Sequence, residues 1–104
     1  MLGFIKKLLA GSPAVNYAEL VKSGAQIIDV RSAGEFSGGH IKGALNIPLN
    51  NLQSNLGKIK KNKPVITCCA SGMRSSSARS ILLSSGYTEV YNGGGWMSLQ
   101  NKIK

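Results

Sequence analysis

Two short runs rich in β-branched residues constrain this chain most: AQIIDV at residues 25–30 and PVITC at residues 64–68. Each is too short for a stable helix and is apolar at consecutive positions, the pattern of a strand buried on both faces. Helical signals lie around them. Asn16 followed by Glu19 makes a capping-box pattern, with Val15 and Leu20 placed as a hydrophobic staple and Gly24 as a stop. Ser32 and Glu35 repeat the capping pattern directly after the first run. Residues 38–49 read as a glycine-rich loop with a very short strand ending at Pro48. Leu49, Leu52, Leu56 and Ile59 then recur at helical intervals, weakened by Gly57. After the second run, Ala78, Ile81 and Leu82 share a helix face that Gly86 ends, and residues 89–91 read as a last strand. Short buried strands alternating with helices predict βαβ units and an α/β fold, whose ligands meet the carboxyl ends of the strands.

The 104 residues suffice for one domain that buries roughly two thirds of its unfolded surface without a disulfide staple. The two cysteines, Cys68 and Cys69, are neighbours, and a bridge between neighbours is strained and closes almost no loop. Free thiols in a reducing compartment, and hence a cytoplasmic protein, are the expectation. Thirteen Lys and Arg against four Asp and Glu give a formal charge of +9, a field that concentrates anions without naming one. The densest basic run, Lys58, Lys60, Lys61 and Lys63, comes with no helix-turn-helix, zinc-finger or aromatic RNA-binding pattern, so it reads as a solvated face and no nucleic-acid partner is expected. Residues 1–12 form a separate segment, loose or amphipathic, ahead of a domain at residues 13–104. Lys6 and Lys7 interrupt its apolar run, so it lacks the continuous core of a secretory signal and none is expected; no membrane span is expected either, only weak interfacial contact through this segment.

The chemistry concentrates in TCCASGMRSSSARS, residues 67–80. A cysteine nucleophile needs local positive potential to exist as thiolate. Here a strand delivers the thiols to a loop, and the next helix begins near Arg74, so unpaired N–H groups and a positive dipole end face the loop. Lowering a thiol pKa by about two units takes roughly 2.7 kcal/mol. A helix end supplies at most about 2 kcal/mol, which leaves a share for Arg74 or converging loop amides.

Two frames compete. From Cys68, five residues precede Arg74, and with Ser75 this matches the Cys-x5-Arg-Ser/Thr pattern of tyrosine phosphatases. From Cys69, CASGMRS resembles the Cys-x-x-Gly-x-Arg loop of rhodanese-like sulfurtransferases, with Gly72 at that family's glycine. The first frame lacks the customary preceding histidine and the phosphatase glycine placement. The resemblance extends to IIDVRSAGEFSGGHIKGALNIPL, residues 27–49, and to GGGW, residues 93–96.

This resemblance implies a rhodanese-like three-layer fold, a central mainly parallel sheet of about five strands flanked by helices. It implies a sulfurtransferase in which Cys69 takes a sulfane sulfur from thiosulfate or a related donor and passes the persulfide sulfur to a thiophilic acceptor. Ala70, Ser71, Gly72, Met73 and Arg74 would form the loop that holds the persulfide, and no cofactor is called for. The implied partner is a small anionic sulfur donor or a persulfide-bearing protein. Rhodanese-like domains also serve as non-catalytic binding or regulatory modules, which is the alternative, and a cysteine-dependent phosphatase or arsenate reductase is a more distant third.

The remaining polar residues read as structural. Cys68 should point to the other face of the sheet by period-two alternation. Arg31 with Glu35 reads as an ion pair bracing the neighbouring loop, and His40 as a loop-orienting hydrogen-bond partner. One His and two adjacent Cys make no closed metal set. Residues 93–95 read as a tight backbone passage near the cysteine loop, and Trp96 as core.

Overall fold

A computed structural model of the chain describes residues 15–104; the expected N-terminal segment lies outside them. Helix α1 (Tyr17–Lys22) is capped by the Asn16 side chain, which accepts the Glu19 N–H. Strand β1 (Gln26–Asp29) follows, then α2 (Ala33–Ser37), whose Ser32 and Glu35 form a complete capping box. After the two-residue strand β2 (Leu45–Asn46) come two 3-10 turns, Leu49–Asn51 and Gln53–Lys58. Strand β3 (Val65–Cys69), helix α3 (Met73–Ser84), strand β4 (Val90–Gly95) and helix α4 (Trp96–Lys102) complete the chain.

All strand pairs are parallel, in the order β2-β1-β3-β4, so the expected α/β architecture is present. Among the described residues the sheet has four strands rather than about five. The leucine pattern at residues 49–59 also yields 3-10 turns and not an α-helix. The backbone breaks from helical geometry at Asn55, where the Asn55 amide donates to the Asn51 carbonyl, in a stretch of asparagines and glycine with poor helix propensity.

The sheet separates two apolar layers. On one face Ile28, Val30, Ile47, Val65, Cys69 and Val90 pack against Ala78 and Leu82 of α3 and Leu52 between the two 3-10 turns. On the other, Ile27, Ile66 and Cys68 pack with Ile41 and with Leu99 of α4, flanked by Tyr17, Leu20 and Val21 of α1. Consecutive residues of β1 and β3 thus serve opposite layers, which is why these strands read as continuous apolar runs. Full burial of each valine, leucine or isoleucine side chain among them stabilises the fold by about 1.5–3 kcal/mol.

No helix among the described residues is long and apolar enough to cross a membrane. Because every strand runs the same way, Asp29, Asn46, Cys69 and Gly95 all lie at one edge of the sheet.

Candidate active site

Cys69 ends β3 at that carboxyl edge, and the chain turns through Ala70, Ser71 and Gly72 into α3. Gly72 makes the turn with φ +110°, a conformation side chains rarely adopt. α3 begins immediately after it, so its first amides open onto the loop. The Gly72 N–H donates to Cys69 Sγ at 2.9 Å and the Ser75 N–H at 3.3 Å. By their place in the first turn, the N–H groups of Met73 and Arg74 have no intrahelical acceptor.

Burial pushes the Cys69 thiol pKa up, but hydrogen bonds from Ser75, and from the Gly72 and Ser71 amides, outweigh it and hold the thiol below its ordinary value. Cys69 itself is 1% exposed, recessed among exposed Ala70, Ser71 and Met73. Access to the sulfur is therefore narrow.

Cys68 is the opposite case. Burial, then the nearby Asp29 carboxylate, push its pKa up to about 12, and it sits on the far face of the sheet with Ile66 and Leu99. Both cysteines are free. Alternation along β3 thus turns only the second sulfur toward α3, and a loop framed from Cys68 would leave its own nucleophile's sulfur away from the amides.

Ser75, outside the expected loop, is fully buried and held at three points. Its N–H reaches Cys69, its carbonyl accepts from the Thr67 hydroxyl at 2.9 Å, and its hydroxyl contacts Asn92 Oδ1. The Gly94 N–H donates to the same Oδ1 at 2.9 Å, so that atom is an acceptor, and the single Ser75 hydroxyl proton is shared between it and the Gly72 carbonyl oxygen 3.0 Å away. Tertiary bonds of this kind offset the weak helix propensity of the serine-rich first turns of α3.

β4 passes Cys69 at close range: Gly95 pairs with Cys69 in register. A Cβ on Gly95 would lie 2.8 Å from the Ala70 carbonyl oxygen, and one on Gly93 2.8 Å from the Thr67 carbonyl oxygen. The glycines are therefore a condition of the passage, as expected. Trp96 is half-buried, with the Arg31 guanidinium 4.8 Å from its ring centroid.

The ion pairs differ from expectation. Arg31 is bound to Asp29, with Nη2 2.7 Å from Oδ2 and Nε 2.9 Å from Oδ1, and reaches Glu35 only through its backbone carbonyl. Two residues apart at the end of β1, Asp29 and Arg31 face the same way, so the shorter connection wins. The Glu35 carboxylate turns instead to Arg74, which donates Nη1 to Oε1 at 2.8 Å and Nη2 to Oε2 at 3.0 Å. This contact, with help from the Ser32 N–H, brings the Glu35 pKa down to about 2. The His40 ring stacks on Phe36 at 3.7 Å, and its Nδ1 lies 2.7 Å from the Phe36 carbonyl oxygen, the loop-orienting role expected of it.

Thus the structure brings Cys69 together with the loop residues 70–74, adds Ser75 and Asn92, and gives Arg74 a partner from α2. The Arg-Ser step of the other reading frame is the signal for Ser75; the bond from Glu35 to Arg74 spans 39 residues and leaves no local signal.

Comparison with known proteins agrees with this geometry. The model of the rhodanese-like domain matches residues 12–102. A Bacillus subtilis protein, YqhL, described as uncharacterized, is 47% identical over 81 residues, covering 77% of this chain and 64% of YqhL, so the match spans less than two thirds of that relative. A thiosulfate sulfurtransferase, GlpE, of Shewanella oneidensis is 34% identical over 73 residues, 70% of this chain and 72% of its own. The human single-domain sulfurtransferase TSTD1 superposes with a TM-score of 0.69 at 31% identity, covering 90% of this chain and all of that one. On fold, loop and sequence together, the chain belongs to the rhodanese-like domain family, among relatives that bear sulfurtransferase names.

Proposed function

We propose that this chain is a sulfurtransferase that carries sulfane sulfur as a persulfide on Cys69. The observation that carries the reading is the pair of N–H groups, from Gly72 and Ser75, aimed at Cys69 Sγ from the start of α3. They favour the thiolate, and the thiolate is the attacking species.

With thiosulfate as donor, Cys69 S⁻ attacks the outer sulfur, a new S–S bond forms, and the bond to the sulfonate sulfur breaks with its electron pair leaving on sulfite. The enzyme is left as the Cys69 persulfide anion. A nucleophilic acceptor such as cyanide then takes the terminal sulfur, and the electron pair of the broken S–S bond returns to Cys69 as thiolate. No proton need be abstracted at either step. Loop amides of residues 70–74 hold the negative terminal sulfur, the role an oxyanion hole has toward oxygen, and the narrow recess suits a single sulfur atom better than a tetrahedral phosphoryl group. Arg74 fixes the loop against α2.

Residues 13–104 form the catalytic domain in this reading, with residues 1–12 an appended segment, and the protein works in the cytoplasm on a small sulfur donor or a protein persulfide. The test is intact mass measurement of the reduced protein before and after excess thiosulfate. The expected result is a gain of one sulfur on Cys69, removed by cyanide or by a thiol. A reduced, alkylatable Cys69 that takes up no sulfur from thiosulfate or from a low-molecular-weight persulfide would overturn the proposal.

A further inference from the structure

The chain is strongly basic, yet among the described residues the charge beside Cys69 is balanced. Arg74 is the cation nearest the loop in sequence, and a thiolate on Cys69 acts favourably on its guanidinium. Both of its Nη atoms, however, are engaged by Glu35. The other charged pair at this edge, Arg31 with Asp29, is closed on itself and buried. Other basic residues gather at the opposite edge: Lys60 bonds Gln26 at the start of β1, Lys63 precedes β3, and Arg79 donates to the Val90 carbonyl at the start of β4.

Glu35 is also held firmly. Its Oε1 accepts the Ser32 N–H at 3.0 Å, its own N–H donates to Ser32 Oγ, and its carbonyl accepts from Arg31. Its side chain is 38% exposed and that of Arg74 is 39% exposed, and water screens a pair so exposed. The pair is thus a weak device for stability and a fixed one for charge.

We infer that Glu35 determines donor specificity: by neutralising Arg74 it keeps the mouth of the site close to uncharged, and so favours sulfur donors of low charge over dianions such as thiosulfate. The inference rests on the sulfurtransferase reading above, and it makes the preferred donor a neutral or singly charged sulfane sulfur compound.

The experiment is Glu35→Gln. Glutamine retains the amide oxygen that a capping box needs, so α2 keeps its start while the charge is removed. Two readouts are combined. The first is the ratio of Cys69 alkylation rates with iodoacetate, an anion, and with neutral iodoacetamide, measured in a Cys68→Ala background. The reagents are nearly equal in size, so the recess affects both alike and the ratio reports charge alone. The second is KM and kcat for thiosulfate.

Removing one negative charge at several Å should raise the iodoacetate to iodoacetamide ratio about two- to threefold and lower the thiosulfate KM about four- to tenfold, roughly the square, because the donor is doubly charged. Both effects should shrink as salt is raised toward 1 M. Glu89→Gln is the control for net charge. The Glu89 carbonyl accepts the Val65 N–H at the far end of β3, about 13 Å of strand from Cys69, and this variant should move neither readout.

An unchanged ratio in Glu35→Gln, or an equal change in Glu89→Gln, overturns the inference while leaving persulfide formation standing. Sulfur uptake absent from every variant and every donor overturns the sulfurtransferase reading, and with it the donor specificity, even where the ratio shifts.

Discussion

Cys68 and Cys69 are consecutive in β3 and belong to opposite layers of the protein: Cys68 packs with Ile27, Ile41, Ile66 and Leu99, Cys69 with Val30, Ile47 and Ala78. Strand alternation therefore gives two neighbouring thiols different chemistry. Cys69→Ser should abolish sulfur uptake, whereas Cys68→Ala should retain most of it and cost about 1–2 kcal/mol through the lost sulfur contacts. Mass measurement of sulfur loading together with urea unfolding of both variants separates these effects. Retained loading in Cys69→Ser would reassign the nucleophile.

The two thiols should also titrate far apart. Hydrogen bonds from Ser75, Gly72 and Ser71 hold Cys69 below the ordinary thiol value despite its burial, while burial and Asp29 hold Cys68 at about 12. The alkylation rate of Cys69 should rise with pH and level off below the range of a free cysteine, with Cys68 unreactive until strongly alkaline conditions. Ser75→Ala keeps the N–H but removes the hydroxyl that ties the first turn of α3 to Asn92 and to the Gly72 carbonyl, so the N–H is held less firmly on Cys69 and the profile should move to higher pH. A rate profile by iodoacetamide labelling checks both, and coincident profiles for Ser75→Ala and the parent would remove the hydroxyl from the account.

Much of this arrangement is legible in the sequence because it is local. The β-branched runs around Ile27 and Ile66, the box of Ser32 and Glu35, and Gly72 between Cys69 and Arg74 each act over a few residues. What escapes a sequence reading depends on distance or on backbone shape. Glu35 has a visible local partner in Arg31, and only the packing of α2 beside the cysteine loop offers Arg74 in its place. α4 carries no start signal, since Gly95 begins it without a side-chain cap and residues 93–95 look like a break; in the fold they extend β4. Asn92 has no signal at all until β4 lies beside Ser75.

Glycine positions give a sharp contrast in stability. At Gly95 a Cβ would lie 2.8 Å from the Ala70 carbonyl oxygen, whereas at Gly34, inside α2, it meets nothing within 4 Å. Gly95→Ala should destabilise by about 1–3 kcal/mol through the forced backbone shift, and should slow sulfur uptake because Ala70 opens the loop. Gly34→Ala should stabilise by about 0.5–1 kcal/mol, since alanine loses less entropy in a helix. Thermal unfolding of the two variants should move Tm in opposite directions, and a neutral Gly95→Ala would mean that the strand can yield there.

Glu35 supplies the acid-side prediction. Its folded pKa of about 2 lies below the ordinary 4.5, so the folded state binds its proton less readily than the unfolded chain does. The contribution of this carboxylate to stability is therefore fully present above pH 4.5 and is lost as pH falls toward about 2. The difference in unfolding free energy between the parent and Glu35→Gln should be constant above about pH 5 and change through that acid window, in the sense that the parent loses its advantage. Urea titrations of both proteins at a series of pH values test this. A difference that stays flat down to about pH 2 would mean that the Arg74 contact does not hold the carboxylate ionised in solution.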